Sequence, residues 1–149
     1  MLLPLAVGCG PKTKPDLVNV DYWTYRAAQI TADTETLLSR AGTITAEQSR
    51  TVYRALEPAT DLGLECTHIL QLWDPEQPMP PQLPKLMLEL WKIAQVIIGL
   101  LPIEWDRVVA QAKAVTPTGT PDETLAELDI LWRQLAAQID RRWLELGRR

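Results

Sequence analysis

His68 is the only histidine in the chain, and it follows Glu65 by three residues. On a helix this spacing puts both side chains on one face, as in the Glu-x-x-His half of a di-iron site. The other half needs a second histidine, which the chain lacks, and a metal site needs at least three aligned ligands. His68 therefore reads as a surface or helix-packing residue, and no metal or cofactor is expected. A serine nucleophile needs a base oriented by a third group. The only serines, Ser39 and Ser49, lie outside any Gly-x-Ser-x-Gly turn, and no glycine-rich phosphate loop is present. Glu104 and Asp106 are two residues apart and so do not face each other on a helix. The residues for a catalytic constellation do not assemble, and a non-catalytic protein is expected.

The two cysteines sit in different contexts. Cys66 falls on an apolar helical stripe, where a thiol behaves as a small hydrophobe. Cys9 closes the run Leu2-Leu3-Pro4-Leu5-Ala6-Val7-Gly8-Cys9-Gly10. No Cys-x-x-Cys pair suggests redox or zinc chemistry. Aromatic side chains are the other candidates for recognition. Tyr22, Trp23 and Tyr25 cluster early, and Trp143 lies near a basic C-terminal end with Arg141, Arg142, Arg148 and Arg149. Tryptophan suits both cores and interfaces, because its body is apolar and its nitrogen donates. Tyr22, Trp23, Tyr25 and Trp143 are thus the candidate partner-binding residues. The arginines complement a helix dipole or meet an anionic surface.

The elements that position these residues follow from periodicity. A chain of 149 residues with 46% hydrophobic and 23% charged residues fits one globular domain. Its net charge of −4 gives no basic surface for nucleic acid. Residues 1–9 form an apolar leader, 10–16 a tether rich in Pro and Lys, and 17–149 a single helical domain. The first helix spans about 17–41, with Trp23, Ala27, Ile30, Thr34, Leu37 and Ala41 on its face and Gly42 as its stop. Thr45-Ala46-Glu47-Gln48 is a capping box for a second helix, whose face reads Val52, Leu56, Ala59, Leu62, Cys66, Ile69 and Trp73. Pro58 inside it predicts a kink. Residues 74–84 hold five prolines and form an extended connector.

The third helix, about 84–101, is strongly apolar, but Lys85, Glu89, Lys92 and Gln95 give it a wet edge that argues against a membrane span. A fourth runs over about 103–115. The fifth, about 121–146, is capped by Thr120 or Asp122. It carries the cleanest seam: Leu125, Leu128, Trp132, Leu135, Ile139, Trp143 and Leu146. That seam suits either a bundle core or an oligomer contact. No segment alternates as a strand does. The fold class is all-α, a bundle of four to five helices with an apolar N-terminal leader and a Pro-rich connector.

The leader ending at Cys9 resembles the lipobox of bacterial lipoproteins, with Ala6, Val7 and Gly8 in the three positions before the cut. Together with the tether, the helices and the Ala41–Gln48 junction, the chain resembles small helical lipoproteins of bacteriophages and prophages. The resemblance implies lipidation at Cys9 and a location in the bacterial cell envelope, facing the periplasm or cell exterior. It implies action on a membrane protein partner, in superinfection exclusion or lysis. The competing expectation is a cytoplasmic helical adaptor, assembly factor or inhibitor with a protein partner.

Overall fold

The computed structural model describes residues 13–102 and 104–147. Five helices follow in order: α1 (Lys14–Arg40), α2 (Ala46–Leu72), α3 (Gln82–Ile98), α4 (Trp105–Lys113) and α5 (Pro121–Glu145). Among the described residues there is no strand, so the chain is all-α as its periodicity predicts. No described helix is long and apolar enough to cross a membrane. Lys85, Glu89, Lys92 and Gln95 of α3 are all exposed, while Leu83, Met87, Leu90, Ala94 and Ile97 are buried behind them.

Helix starts are set by side-chain caps. At α2 the Gln48 amide donates to Thr45 Oγ1 at 3.1 Å, and the Thr45 amide donates to Gln48 Oε1 at 2.7 Å. Thr120 and Glu123 make the same reciprocal pair at α5. Each box satisfies two amides that the first turn leaves orphaned. The third start corrects the expected tether. Thr13 caps α1, so Lys14, Pro15 and Asp16 are helical. Proline fits a first turn, where no helical hydrogen bond needs its missing N–H, and Asp16 favours the positive dipole end. Leu83 and Pro84 are likewise in the first turn of α3 rather than in the connector. α2 runs through Pro58 without interruption, and the proline ring is exposed.

Cross-contacts give the directions. Along α1 and α5, the pairs Lys14–Asp122, Gln29–Gln138 and Glu35–Arg142 advance together, so these helices are parallel. α2 runs opposite to both: Asp21 meets Thr67 while Glu35 meets Tyr53, and Arg50 meets Leu146. α3 turns back along α2, and α4 runs antiparallel along α1. The result is an alternating bundle with α1, α2 and α5 at its centre.

The α5 seam is spent inside this core. Leu125, Leu128, Trp132, Leu135, Ile139 and Trp143 are at most 1% exposed. The α1 face differs from the expected stripe. Its main buried side carries Leu17, Val18, Val20, Asp21, Thr31, Ala32 and Glu35. Trp23, Ala27 and Ile30 face α4 instead, and Leu37 is 67% exposed. α1 therefore has two packed sides, one polar-studded side against α2 and α5 and one against α4.

Gly63 of α2 faces Trp132. A Cβ at this position would run into the Trp132 ring, well inside van der Waals contact. The ring is fully buried and cannot swing out. Gly63→Ala is therefore expected to overpack the core and cost about 1–3 kcal/mol, read as a lower urea midpoint with unchanged slope.

Candidate functional site

The polar side chains that sequence periodicity assigns to solvent form the most organised chemistry in the molecule. Asp21 is 5% exposed on α1. Trp132 Nε1 of α5 donates to its Oδ1 at 3.0 Å, and Thr67 Oγ1 of α2 lies 2.6 Å from its Oδ2. The Thr67 hydroxyl also lies 3.0 Å from the Gly63 carbonyl. That hydroxyl has one proton and faces two acceptors if Asp21 is ionised. If Asp21 is protonated, its O–H donates to Thr67, whose own proton goes to Gly63, and every group is satisfied. Burial raises the Asp21 carboxyl to about 7, against the smaller opposing pull of Thr67 and Trp132.

Fourteen residues on, and about 21 Å further along the helix, Glu35 is fully buried. Arg142 of α5 grips it with two prongs: Nε to Oε1 at 3.0 Å and Nη2 to Oε2 at 2.8 Å. Tyr53 of α2 donates to Oε1 at 2.6 Å. Burial pushes this carboxyl up, but the hydrogen bonds from Arg142 and Tyr53 help outweigh it and hold it below its usual range. The two acids thus have opposite fates, one neutral below about pH 7 and one ionised. Both are buried and serve to join three helices.

A second pattern concerns helix ends. Lys14 Nζ donates to the Trp73 carbonyl at the end of α2 at 2.9 Å. Arg26 donates to the Ala112 and Gln111 carbonyls in the last turn of α4, at 3.0 and 3.1 Å. Arg50 donates to the Leu146 carbonyl at the end of α5, at 3.3 and 3.1 Å. Three cations on neighbouring helices thereby satisfy carbonyls that their helices leave open, at the negative dipole end.

The expected partner-binding residues are mostly engaged inside the molecule. Trp143 is fully buried and packs on Tyr53 with ring centroids 6.4 Å apart, so its place at a partner surface is corrected to the core. Trp23 Nε1 donates to the Val115 carbonyl at 3.1 Å, and Lys113 lies over its ring. Tyr25 packs edge-on against Trp132 at 5.5 Å, and its hydroxyl donates to Gln29. Tyr22 is half-buried against the main core. Arg142, read as a helix-end cation, reaches instead into the core. Arg148, Arg149 and Cys9 lie outside the described residues.

His68 bridges α2 to α5, with Nε2 2.7 Å from Asp129 Oδ1, and Arg133 joins the same carboxylate. It is a surface-packing histidine, as its position predicts. Among the described residues, no three His, Cys, Asp or Glu side chains gather as metal ligands. Cys66 is buried, and burial, then the nearby Asp21 and Glu65 charges, push its thiol up and leave it unreactive.

No protein family, curated protein or solved structure matches this chain.

The Asp21 arrangement has a definite pH dependence. An unfolded carboxyl titrates near 3.8 and the folded one near 7. Between these values the unfolded chain releases a proton that the folded chain keeps, so stability falls as pH rises from about 4 to about 7 and is flat beyond. The full effect is about 4 kcal/mol. Asp21→Asn keeps both hydrogen bonds without a charge to bury. Urea denaturation is expected to show the variant stabilised at pH 8, with no gain near pH 4. A variant less stable than wild type at pH 8 would show that the network needs the carboxylate.

Proposed function

We propose that this chain is a non-catalytic helical binding module, anchored in a bacterial envelope by lipid on Cys9, whose bundle acts on a membrane protein partner. The observation that carries the reading is the lipobox-like run ending at Cys9, set four residues before the capped start of the bundle at Thr13. The resemblance to phage and prophage lipoproteins points to superinfection exclusion or lysis as the setting.

The bundle's geometry gives this reading a specific form. Whatever path residues 10–12 take, a chain of this length reaches at most about 14 Å from Cys9 to Thr13. The α1 start would therefore stand close to the bilayer. Beside it are Asp16, which Thr13 bonds, and Asp122, which pairs with Lys14 while that lysine donates to the Trp73 carbonyl. With acids and lysines mixed at this end there is no basic cluster for anionic headgroups, so attachment in this reading rests on the lipid. A single acyl chain binds a membrane only marginally, and stable anchorage requires more than one. The polar groups of the core support a binding role, because Asp21, Glu35, Thr67 and Arg142 are spent on holding helices together. Lipidation would confine a rigid bundle to the surface and raise its effective concentration near membrane partners.

The test is intact mass of membrane and soluble fractions from a bacterium expressing wild type or Cys9→Ala from the native coding context. Wild type is expected in the membrane fraction, without residues 1–8 and with the mass of more than one acyl chain, and Cys9→Ala in the soluble fraction. Full-length soluble protein in both cases would overturn the anchored reading and favour the cytoplasmic adaptor.

A further inference from the structure

The inward seam of α5 packs on α1 and α2, and its outward side carries a second pattern. Ile130, Ala137 and Leu144 recur at seven-residue steps. On a straight helix they share one stripe, which drifts only about 20° per step. All three are exposed, Ile130 by 56% and Leu144 by 74%. The stripe is symmetric about Ala137. A half-turn about an axis through that alanine sets Ile130 of each copy against Leu144 of the other, and alanine against alanine. A small residue at the centre lets two helices approach closely.

The charges beside the stripe share this centre. Arg133 stands four residues before Ala137 and Asp140 three residues after it, and helical spacing puts both on the same flank. Equal flanks meet in an antiparallel pair, so Arg133 of each copy faces Asp140 of the other, twice by symmetry. On the other flank Arg141 falls opposite Gln134, not opposite a like charge. A parallel pair in register would set Arg133 beside Arg133 and Asp140 beside Asp140. Within one chain the exposed Asp140 carboxylate makes no ion pair among the described residues, and Arg133 touches Asp129 only at 3.4 Å.

We infer that the chain pairs with a second copy of itself through the outward face of α5, antiparallel and centred on Ala137. The apolar stripe and the charge pattern are independent, and both are self-complementary about the same residue. One helix face against another is small beside the roughly 1,200 Å² that stable interfaces bury, so the pairing is weak, with a Kd of about 10–100 μM. It uses the bundle alone and holds with or without a lipid on Cys9.

The test is sedimentation velocity over a concentration series spanning that Kd, on the full chain carrying Cys9→Ala, which stays unlipidated. The sedimentation coefficient is expected to rise from the monomer to the dimer value. Arg133→Asp sets Asp against Asp, and Asp140→Arg sets Arg against Arg. Each is expected to weaken pairing by about tenfold or more. Mixed in equal amounts, the two variants restore both ion pairs, and a mixed dimer of about wild-type affinity is expected. Ile130→Lys, also at an exposed position, is expected to leave a monomer with unchanged helix content by circular dichroism. A wild-type monomer at every concentration overturns the proposal. So does association that ignores both charge reversals, which would place the contact elsewhere, or a mixture that pairs no better than its components.

Discussion

Taking two carboxyl groups of one helix out of water is the constraint on which this bundle depends. An isolated buried carboxylate is far too costly to persist, so each acid must be neutralised or answered by partners of good geometry. α1 carries both Asp21 and Glu35 on the side that packs into the core. Asp21 meets two neutral partners, Trp132 and Thr67, and holds its proton to about pH 7. Glu35 meets a two-pronged guanidinium and a phenol and stays ionised. In each case one partner comes from α2 and one from α5. The two clusters therefore fix the register of three helices at two levels. Sliding α5 by one turn would strand Asp21, Glu35 and Arg142 together. The apolar seam of α5 supplies most of the burial, while these contacts select one alignment of it.

The remaining helices are attached on different terms. α4 is short and rests on α1 through Ala27, Ile30, Trp105, Val108 and Ala112, with Arg26 and Trp23 holding its last turn and the residues after it. α3 rests on α2 through Leu83, Met87, Leu90 and Ile97, its other edge being wet. Small α1 residues, Thr24, Ala27, Ala28 and Thr31, line the space between them. Stability in such an assembly is graded, because elements with few buried contacts open before those that share the main core. The central three helices share the main core, to which α3 also contributes, while α4 packs on the other side of α1.

What was legible in the sequence tracks which physical rule was acting. Capping boxes need only local residue types, so Thr45–Gln48 and Thr120–Glu123 could be read directly. The α5 seam and the wet edge of α3 follow a single helical period and were equally plain. α1 defied that reading because its buried side includes Asp21, Thr31 and Glu35, which a hydrophobic stripe treats as solvent. The signal was present: acids 14 residues apart fall on one helix face, in step with Leu17, Ala28 and Thr31. Their partners Thr67, Trp132 and Arg142 lie 46 to 111 residues away, beyond any local rule. The expected place of Trp143 at a partner surface failed for a related reason. Trp23, Tyr25 and Trp143 look the same in sequence whether they face a partner or a neighbouring helix. Pro15 and Pro84 marked loops by composition, but the first turn of a helix tolerates proline.

Native-state amide hydrogen exchange tests the central claim most directly, since it reports the opening free energy of each helix in one experiment. Coupling through the Asp21 and Glu35 clusters predicts that the slowest amides of α1, α2 and α5 share one opening free energy, equal to that of global unfolding, while α4 opens at lower cost. If the α1 core amides around Asp21 and Glu35 instead exchange at markedly lower free energy than those of α2 and α5, the buried acids do not bind the three helices into one unit.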